Sequence, residues 1–132
     1  MIRILIADDH LIVRKGFRQL LMDTFPLLYI EEVEDGEQLL KRAFAAQWDM
    51  VISDINMPVI NGITALQKIR EGLPDLPVLI VSMHDSAKYA SHVHKVGGAG
   101  YLSKDVAATE LVKAVELILA GNKYFTSINV EG

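Results

Sequence analysis

At 132 residues the chain has room for one compact domain and a single core, and with about half its residues apolar and a quarter charged it has the mix of an ordinary globular protein. A formal net charge of −4 provides no overall electrostatic grip on nucleic acid, and the absence of cysteine excludes disulfides and thiol chemistry. The opening run Ile2-Arg3-Ile4-Leu5-Ile6-Ala7 is stopped by Asp8 and Asp9 too soon for a signal peptide, and no stretch approaches the ~20 apolar residues that span a bilayer. The expectation is a cytoplasmic piece with no membrane partner.

Ile2 to Ala7 reads as a first strand, and Val13, Phe17, Leu20 and Leu21 then fall on one stripe of an amphipathic helix. Tyr29 to Val33 is a second strand. Asp35 with Gln38 three residues later resembles a capping box ahead of Leu39, Leu40, Ala43 and Phe44. Met50 to Ser53 is the third strand, followed by a helical stripe of Ile63, Leu66 and Ile69. Val78 to Ser82 is the fourth, followed by a helix from about Ser86 to Val96 with Asp85 or Ser86 as its cap. Ala99 to Leu102 is the fifth. Asp105 is placed to cap the last helix, which buries Leu111, Val112, Val115, Ile118 and Leu119 and stops at Gly121. The first, third and fourth strands are continuous apolar runs, as in strands covered on both faces. Such an alternation of strands and helices predicts an open parallel sheet with helices on both faces. The tail from Asn122 to Gly132 has no clear period and reads as the start of a connection, with Tyr124 and Phe125 folding back.

In an open parallel sheet, ligands bind at the carboxyl ends of the strands. Asp8 and Asp9 follow the first strand, Asp54 ends the third, Ser82 ends the fourth and Lys104 sits just past the fifth. Three crowded carboxylates repel one another, and a hard divalent cation such as Mg2+ relieves the conflict. An anion arriving there would meet metal, ammonium and hydroxyl, which suits a phosphoryl group, and one carboxylate could attack phosphorus in line. Asp54 is the best nucleophile because it closes a central strand, and the loop after it is stiffened at Pro58 and expected to turn sharply at Gly62.

The segments Ala7-Asp8-Asp9-His10, Asp54-Ile55-Asn56-Met57-Pro58-Val59-Ile60-Asn61-Gly62 and Gly100-Tyr101-Leu102-Ser103-Lys104 resemble the response-regulator receiver family of two-component systems, from Met1 to about Gly121. Val13-Arg14-Lys15-Gly16, Met83-His84-Asp85 and Ser103-Lys104-Asp105 are similar to the NarL/FixJ-type subfamily, whose members carry a C-terminal helix-turn-helix DNA-binding domain. The resemblance implies a flavodoxin-like (CheY-like) α/β fold, a five-stranded parallel sheet in the order 2-1-3-4-5. It divides the chain into a receiver over residues 1–121 and the start of a linker over 122–132, leading to an output domain absent from this chain.

The resemblance also implies roles. Asp8, Asp9 and Asp54 would hold Mg2+ together with the backbone carbonyl of Asn56, and Asp54 would be the phosphoacceptor. Lys104 and Ser82 would bind phosphoryl oxygens, and Tyr101 would swing inward as Ser82 moves. The side chain of Asn56, with Met83 and His84, would lie at the pocket mouth as modulators. The implied partners are a sensor histidine kinase, a second copy on phosphorylation, and DNA only through the output domain. The protein would be a signalling receiver that catalyses only its own aspartyl phosphorylation and dephosphorylation.

Each of these residues has an ordinary reading too: Asp8-Asp9 as a solvated turn, Lys104 on the surface, Tyr101 as core packing on an edge strand, His10 as a cap or packed beside the acidic site. His92 and His94, two apart on a helix, share no face for a metal. An aspartate-nucleophile phosphatase would need a second aspartate at position 56 or 10, where Asn56 and His10 stand. A flavodoxin-like electron carrier would need a Ser/Thr/Gly-rich phosphate loop after the first strand. A degenerate receiver does not fit the complete acidic site. A stand-alone receiver acting by protein binding is the remaining alternative.

Overall fold

The structure is a computed structural model that describes residues 1–83 and 87–125. Its elements are β1 (Ile2–Ala7), α1 (Leu11–Thr24), β2 (Leu28–Val33), α2 (Gly36–Ala45), β3 (Met50–Ser53), α3 (Gly62–Gly72), β4 (Val78–Ser82), α4 (Ala87–Lys95), β5 (Gly100–Ser103), α5 (Ala107–Leu119) and β6 (Tyr124–Phe125). Alternation along the central strands sends neighbouring residues to opposite faces. Ile4 and Ile6 of β1 join Phe17, Leu21, Leu111 and Val115 beneath α1 and α5. Leu5 and Ala7 join Leu39, Leu66, Ile69 and Val93 beneath α2, α3 and α4. Two cores with one sheet between them explain why β3 and β4 are buried at every position, as their unbroken apolar sequences predict.

All strands pair in parallel, in the order β2-β1-β3-β4-β5-β6. The expected order 2-1-3-4-5 is therefore extended by a sixth strand, drawn from the tail read as the start of a linker. Gly121 ends α5 with φ of 95°, a left-handed turn that sends the chain back toward the sheet. The Tyr124 amide then donates to the Ala99 carbonyl at 2.9 Å. Two residues are too few to show a period, so only the folding back of Tyr124 and Phe125 was legible. The same strand means that β5 is not an edge strand.

Local signals differ in detail. Asp35 caps α2 by accepting from the Gln38 amide at 2.8 Å, but Gln38 reaches back to the Glu34 amide at 3.1 Å, one residue beyond the reciprocal partner of a capping box. Asp105 does not cap α5; Val106 holds that position, and the Asp105 carboxylate accepts from the Ser103 hydroxyl. Phe44, expected on the buried face of α2, is exposed, whereas Leu39 and Ala43 are buried. The expected cap of α4 at Asp85 or Ser86 lies outside the described residues.

Edge strand β2 carries the acidic residues that tie it to the helices. Glu32, nearly buried, accepts from Arg14 at 3.1 Å and Lys15 at 2.8 Å, with Arg18 at 3.5 Å. Burial alone would raise its pKa, but Lys15 and Arg14 outweigh burial and hold the carboxyl below the ordinary glutamate value. A carboxyl depressed in the folded state adds stability above the unfolded glutamate pKa of about 4.3 and loses it as pH falls through the folded value. We therefore expect Glu32→Gln to lower stability by roughly 1.5–3 kcal/mol at neutral pH, the scale of a hydrogen bond to a charged group. The difference from wild type should close in acid. Denaturant titrations across pH check this, and a gap of constant size down to about pH 2 would contradict it.

Candidate functional site

Parallel pairing continues one residue past the strand ends and sets out the site. The Asp8 amide donates to Val33 O at 3.1 Å, the Asp54 amide to Ala7 O at 3.0 Å and the Lys104 amide to Ser82 O at 2.7 Å. Residues far apart in sequence are thereby fixed side by side at the carboxyl edge of the sheet.

The Lys104 ammonium sits between two carboxylates, 2.8 Å from Asp8 Oδ2 and 3.1 Å from Asp54 Oδ2, and all three side chains are at least nine-tenths buried. The other Asp54 oxygen, Oδ1, accepts from the Ile55 amide at 2.7 Å. Burial raises the Asp54 pKa above the usual aspartate value; Lys104 opposes this, and the charge of Asp8 adds to it. For Lys104, burial favours the neutral amine, but the hydrogen bonds and charges of Asp8 and Asp54 more than reverse this and raise its pKa. The lysine is thus a firm cation facing more negative charge than it can balance. Asp9, beside it, is exposed.

Oxygens of Asp8, Asp9 and Asp54 and a ring nitrogen of His10 lie within 4.8 Å of one another. Three carboxylates in that space are the donor set of a hard divalent cation, so the residues present fit such an ion. Of the two readings of His10, a cap or a side chain packed beside the acidic site, the structure has the second. His10 occupies the N-cap position of α1 without a side-chain cap bond; its Nδ1 lies 3.0 Å from Asp8 Oδ1 and 3.2 Å from Asp9 Oδ1. Arg14 was missed. It is buried and donates to the Asp8 carbonyl at 2.6 Å while holding Glu32. Its position one helical turn after His10 was the available signal.

The loop after β3 turns differently from the expectation. The reversal is at Val59, with φ of 71°, where the Ile60 amide donates to Pro58 O at 2.9 Å in a γ-turn. A β-branched residue there is strained. Gly62 instead supplies space: a Cβ on it would strike the carbonyl oxygen of Asp54. Asn61 caps α3 by accepting from the Ile63 and Thr64 amides at 3.0 and 2.9 Å.

Ser82 is fully buried at the end of β4, and Tyr101 is fully buried on β5 among the residues under α4. Asn56 is exposed in the β3–α3 loop, and Met83, directly after β4, is 72% exposed. His84 lies outside the described residues. His92 and His94 are on α4, and among the described residues neither joins the acidic cluster.

Residues 4–116 match the response regulator receiver domain, and the chain belongs to that family. Its sheet and helices are those of the flavodoxin-like α/β receiver fold. It is 36% identical over 123 residues to the transcriptional regulatory protein DegU of Brevibacillus brevis, covering 93% of this chain and 52% of that protein. The crystal structure of a LuxR-family two-component response regulator from Aurantimonas sp. SI85-9A1 superposes with a TM-score of 0.87 at 33% identity, covering 95% of this chain and 89% of that one. RcsB from Salmonella enterica serovar Typhimurium, bound to a promoter in the presence of phosphomimetic BeF3−, superposes with a TM-score of 0.82 at 26% identity, covering 92% and 61%. The chain spans about half the length of the curated DegU protein it matches.

The tight seat of Gly62 under Asp54 yields a test of how the loop holds the site. Gly62→Ala should cost roughly 2 kcal/mol or more, as overpacking does, and should displace Asp54. Denaturant unfolding together with the Asp54 and Ile55 amide resonances reads both, and a wild-type midpoint with unshifted resonances would contradict the seating.

Proposed function

We propose that Asp54 accepts a phosphoryl group from a phosphohistidine of a sensor histidine kinase, with Mg2+ at the acidic cluster, and that the resulting change controls an output domain. The observation that carries this reading is the buried Lys104 ammonium lying between Asp8 and Asp54. It provides a fixed cation beside a desolvated carboxylate, as in-line attack on a phosphoryl group requires.

The carboxylates of Asp8, Asp9 and Asp54 and the backbone carbonyl of Asn56 would hold the metal. Bound there, Mg2+ would supply positive charge toward the phosphoryl oxygens and offset the crowding of acids. An Asp54 carboxylate oxygen attacks phosphorus as the P–N bond of the donor breaks; the bonding pair leaves with the imidazole nitrogen, which takes a proton. Lys104 neutralises a phosphoryl oxygen, and the Ser82 hydroxyl donates to another as it moves toward the group; Tyr101 is already fully buried, so the expected inward swing is not part of this reading. The domain is a signalling receiver that turns over only its own aspartyl phosphate.

Leu11 and Ile12 at the start of α1, Val59 after β3 and Met83 after β4 are exposed apolar side chains near the strand ends that carry the acids. That composition suits a macromolecular donor better than a small one. Met83, directly after β4, with the Asn56 side chain, would limit the entry of water. In this reading the receiver runs through β6 at Tyr124–Phe125, and the chain beyond leads to a helix-turn-helix domain that binds DNA. RcsB, found as dimers bound to DNA, supports an output of that kind and a second copy as partner. We place the protein in the cytoplasm, where a kinase and DNA are both accessible.

Intact mass after incubation with acetyl phosphate and Mg2+ tests the chemistry. A single phosphoryl adduct should form, require the metal and be absent from Asp54→Asn. No adduct from either acetyl phosphate or a cognate kinase, with the fold intact, would overturn the reading. On the same assay Met83→Ala should lose its phosphoryl group faster than wild type, and an unchanged half-life would remove Met83 as a shield.

A further inference from the structure

Asp8 is tied through every polar group it has. Its amide donates to Val33 O at 3.1 Å, its Oδ2 meets Lys104 at 2.8 Å and its Oδ1 accepts from the His10 amide at 2.8 Å. The remaining group is the backbone carbonyl, which accepts from Nη1 of Arg14 at 2.6 Å. Arg14 comes from the start of α1, and its own amide donates to His10 O at 3.1 Å. One residue thus closes the turn from Asp8 to His10 with both its backbone and its side chain.

The guanidinium is itself braced. It is buried, and its Nε donates to Glu32 Oε1 on β2 at 3.1 Å, while Lys15 and Arg18 hold the other Glu32 oxygen at 2.8 and 3.5 Å. A planar fork bound at two points leaves Nη1 one direction, onto the Asp8 carbonyl. That carbonyl belongs to the peptide joining Asp8 to Asp9, and the plane of a peptide moves as a unit. Holding its oxygen therefore fixes where Asp9 begins. Asp9 is exposed at the rim, with the His10 ring 3.2 Å from its carboxylate, so the aim of that carboxylate depends on the plane.

We propose that Arg14 is a positioning residue for the divalent cation: braced by Glu32, it holds the Asp8–Asp9 peptide so that both carboxylates and that of Asp54 converge on one ion. The inference rests on the receiver reading above for the presence of the ion, and adds to it a residue that touches neither metal nor phosphoryl group. Without the guanidinium the Asp8 carbonyl loses its buried donor, the peptide is released to turn, and the Asp9 oxygens leave the space they share with Asp8 and Asp54. A residue that holds a metal ligand from behind contributes roughly 10–100-fold in affinity. The rival role is mechanical, since Arg14 also ties α1 to β2. Arg18 separates the two: it makes the same kind of tie, to Ile30 O at 3.2 Å and to Glu32, both on β2.

The test titrates Mg2+ into the wild-type chain, Arg14→Met, Arg14→Lys and Arg18→Met, reading affinity from the Asp9 and Asp54 amide resonances at a temperature where each is fully folded. Arg14→Met should bind Mg2+ roughly tenfold more weakly than wild type, the low end of that range. Arg14→Lys, whose single ammonium lacks the fork that serves Asp8 and Glu32 together, should fall between the two. It keeps the test open where the methionine variant does not fold. Arg18→Met should lower Tm and bind Mg2+ as the wild type does. Wild-type affinity in the Arg14 variants, or an equal loss in Arg18→Met, would make Arg14 an anchor of α1 alone. Either result overturns the positioning role and leaves the receiver reading standing. A folded wild-type chain that binds no Mg2+ would overturn the receiver reading and the positioning role with it.

Discussion

The arrangement depends on one buried cation. Asp8 and Asp54 are brought out of water by the sheet, and without Lys104 between them the burial and the neighbouring Asp8 charge that raise the Asp54 pKa would go unopposed. Removing a single member of such a group leaves an uncompensated buried charge, whereas replacing the whole group by apolar residues often stabilises a fold. The cluster is thus poor evidence of selection for stability and good evidence of selection for chemistry. Its remaining negative charge, with Asp9 at the rim, is what a hard cation complements.

The site is precise because the sheet is. Asp8, Asp54 and Lys104 each sit one residue past a strand, where backbone bonds still follow the parallel ladder, so the two cores on either side of the sheet fix the site's geometry. The loop after β3 is held just as firmly. Gly62 lies against the Asp54 carbonyl, and Val59 is kept in a left-handed turn that a β-branched residue avoids unless its surroundings impose it. Strain next to a candidate nucleophile is consistent with a loop built for position rather than stability.

Much of this was legible in the linear chain. The unbroken apolar runs of β1, β3 and β4 reflect burial on both faces, and the Asp35 and Gly121 signals are local backbone chemistry that works within a few residues. The convergence of Asp8, Asp9, Asp54, Ser82 and Lys104 followed from the rule that successive parallel strands end at the same edge. The bidentate role of Lys104 did not follow, because which carboxylate an ammonium reaches depends on side-chain packing. Arg14 was passed over, and His10 was left between capping and packing beside the acids, for the same reason: their partners, Asp8, Asp9 and Glu32, are set by the fold of α1 against β2 and the β1 end.

The sequence by itself determined the α/β class, the sheet edge that carries the chemistry and the residues that meet there, since periodicity and strand-end polarity are properties of the chain. Tertiary structure alone decided that Tyr124 and Phe125 complete a sixth strand, that Tyr101 lies inside rather than on an edge, that Asp105 answers Ser103 instead of capping α5, and that the β3–α3 loop turns at Val59. Each of those outcomes is a contact between segments whose spacing carries no period, so it exists only once the two cores have closed around the sheet.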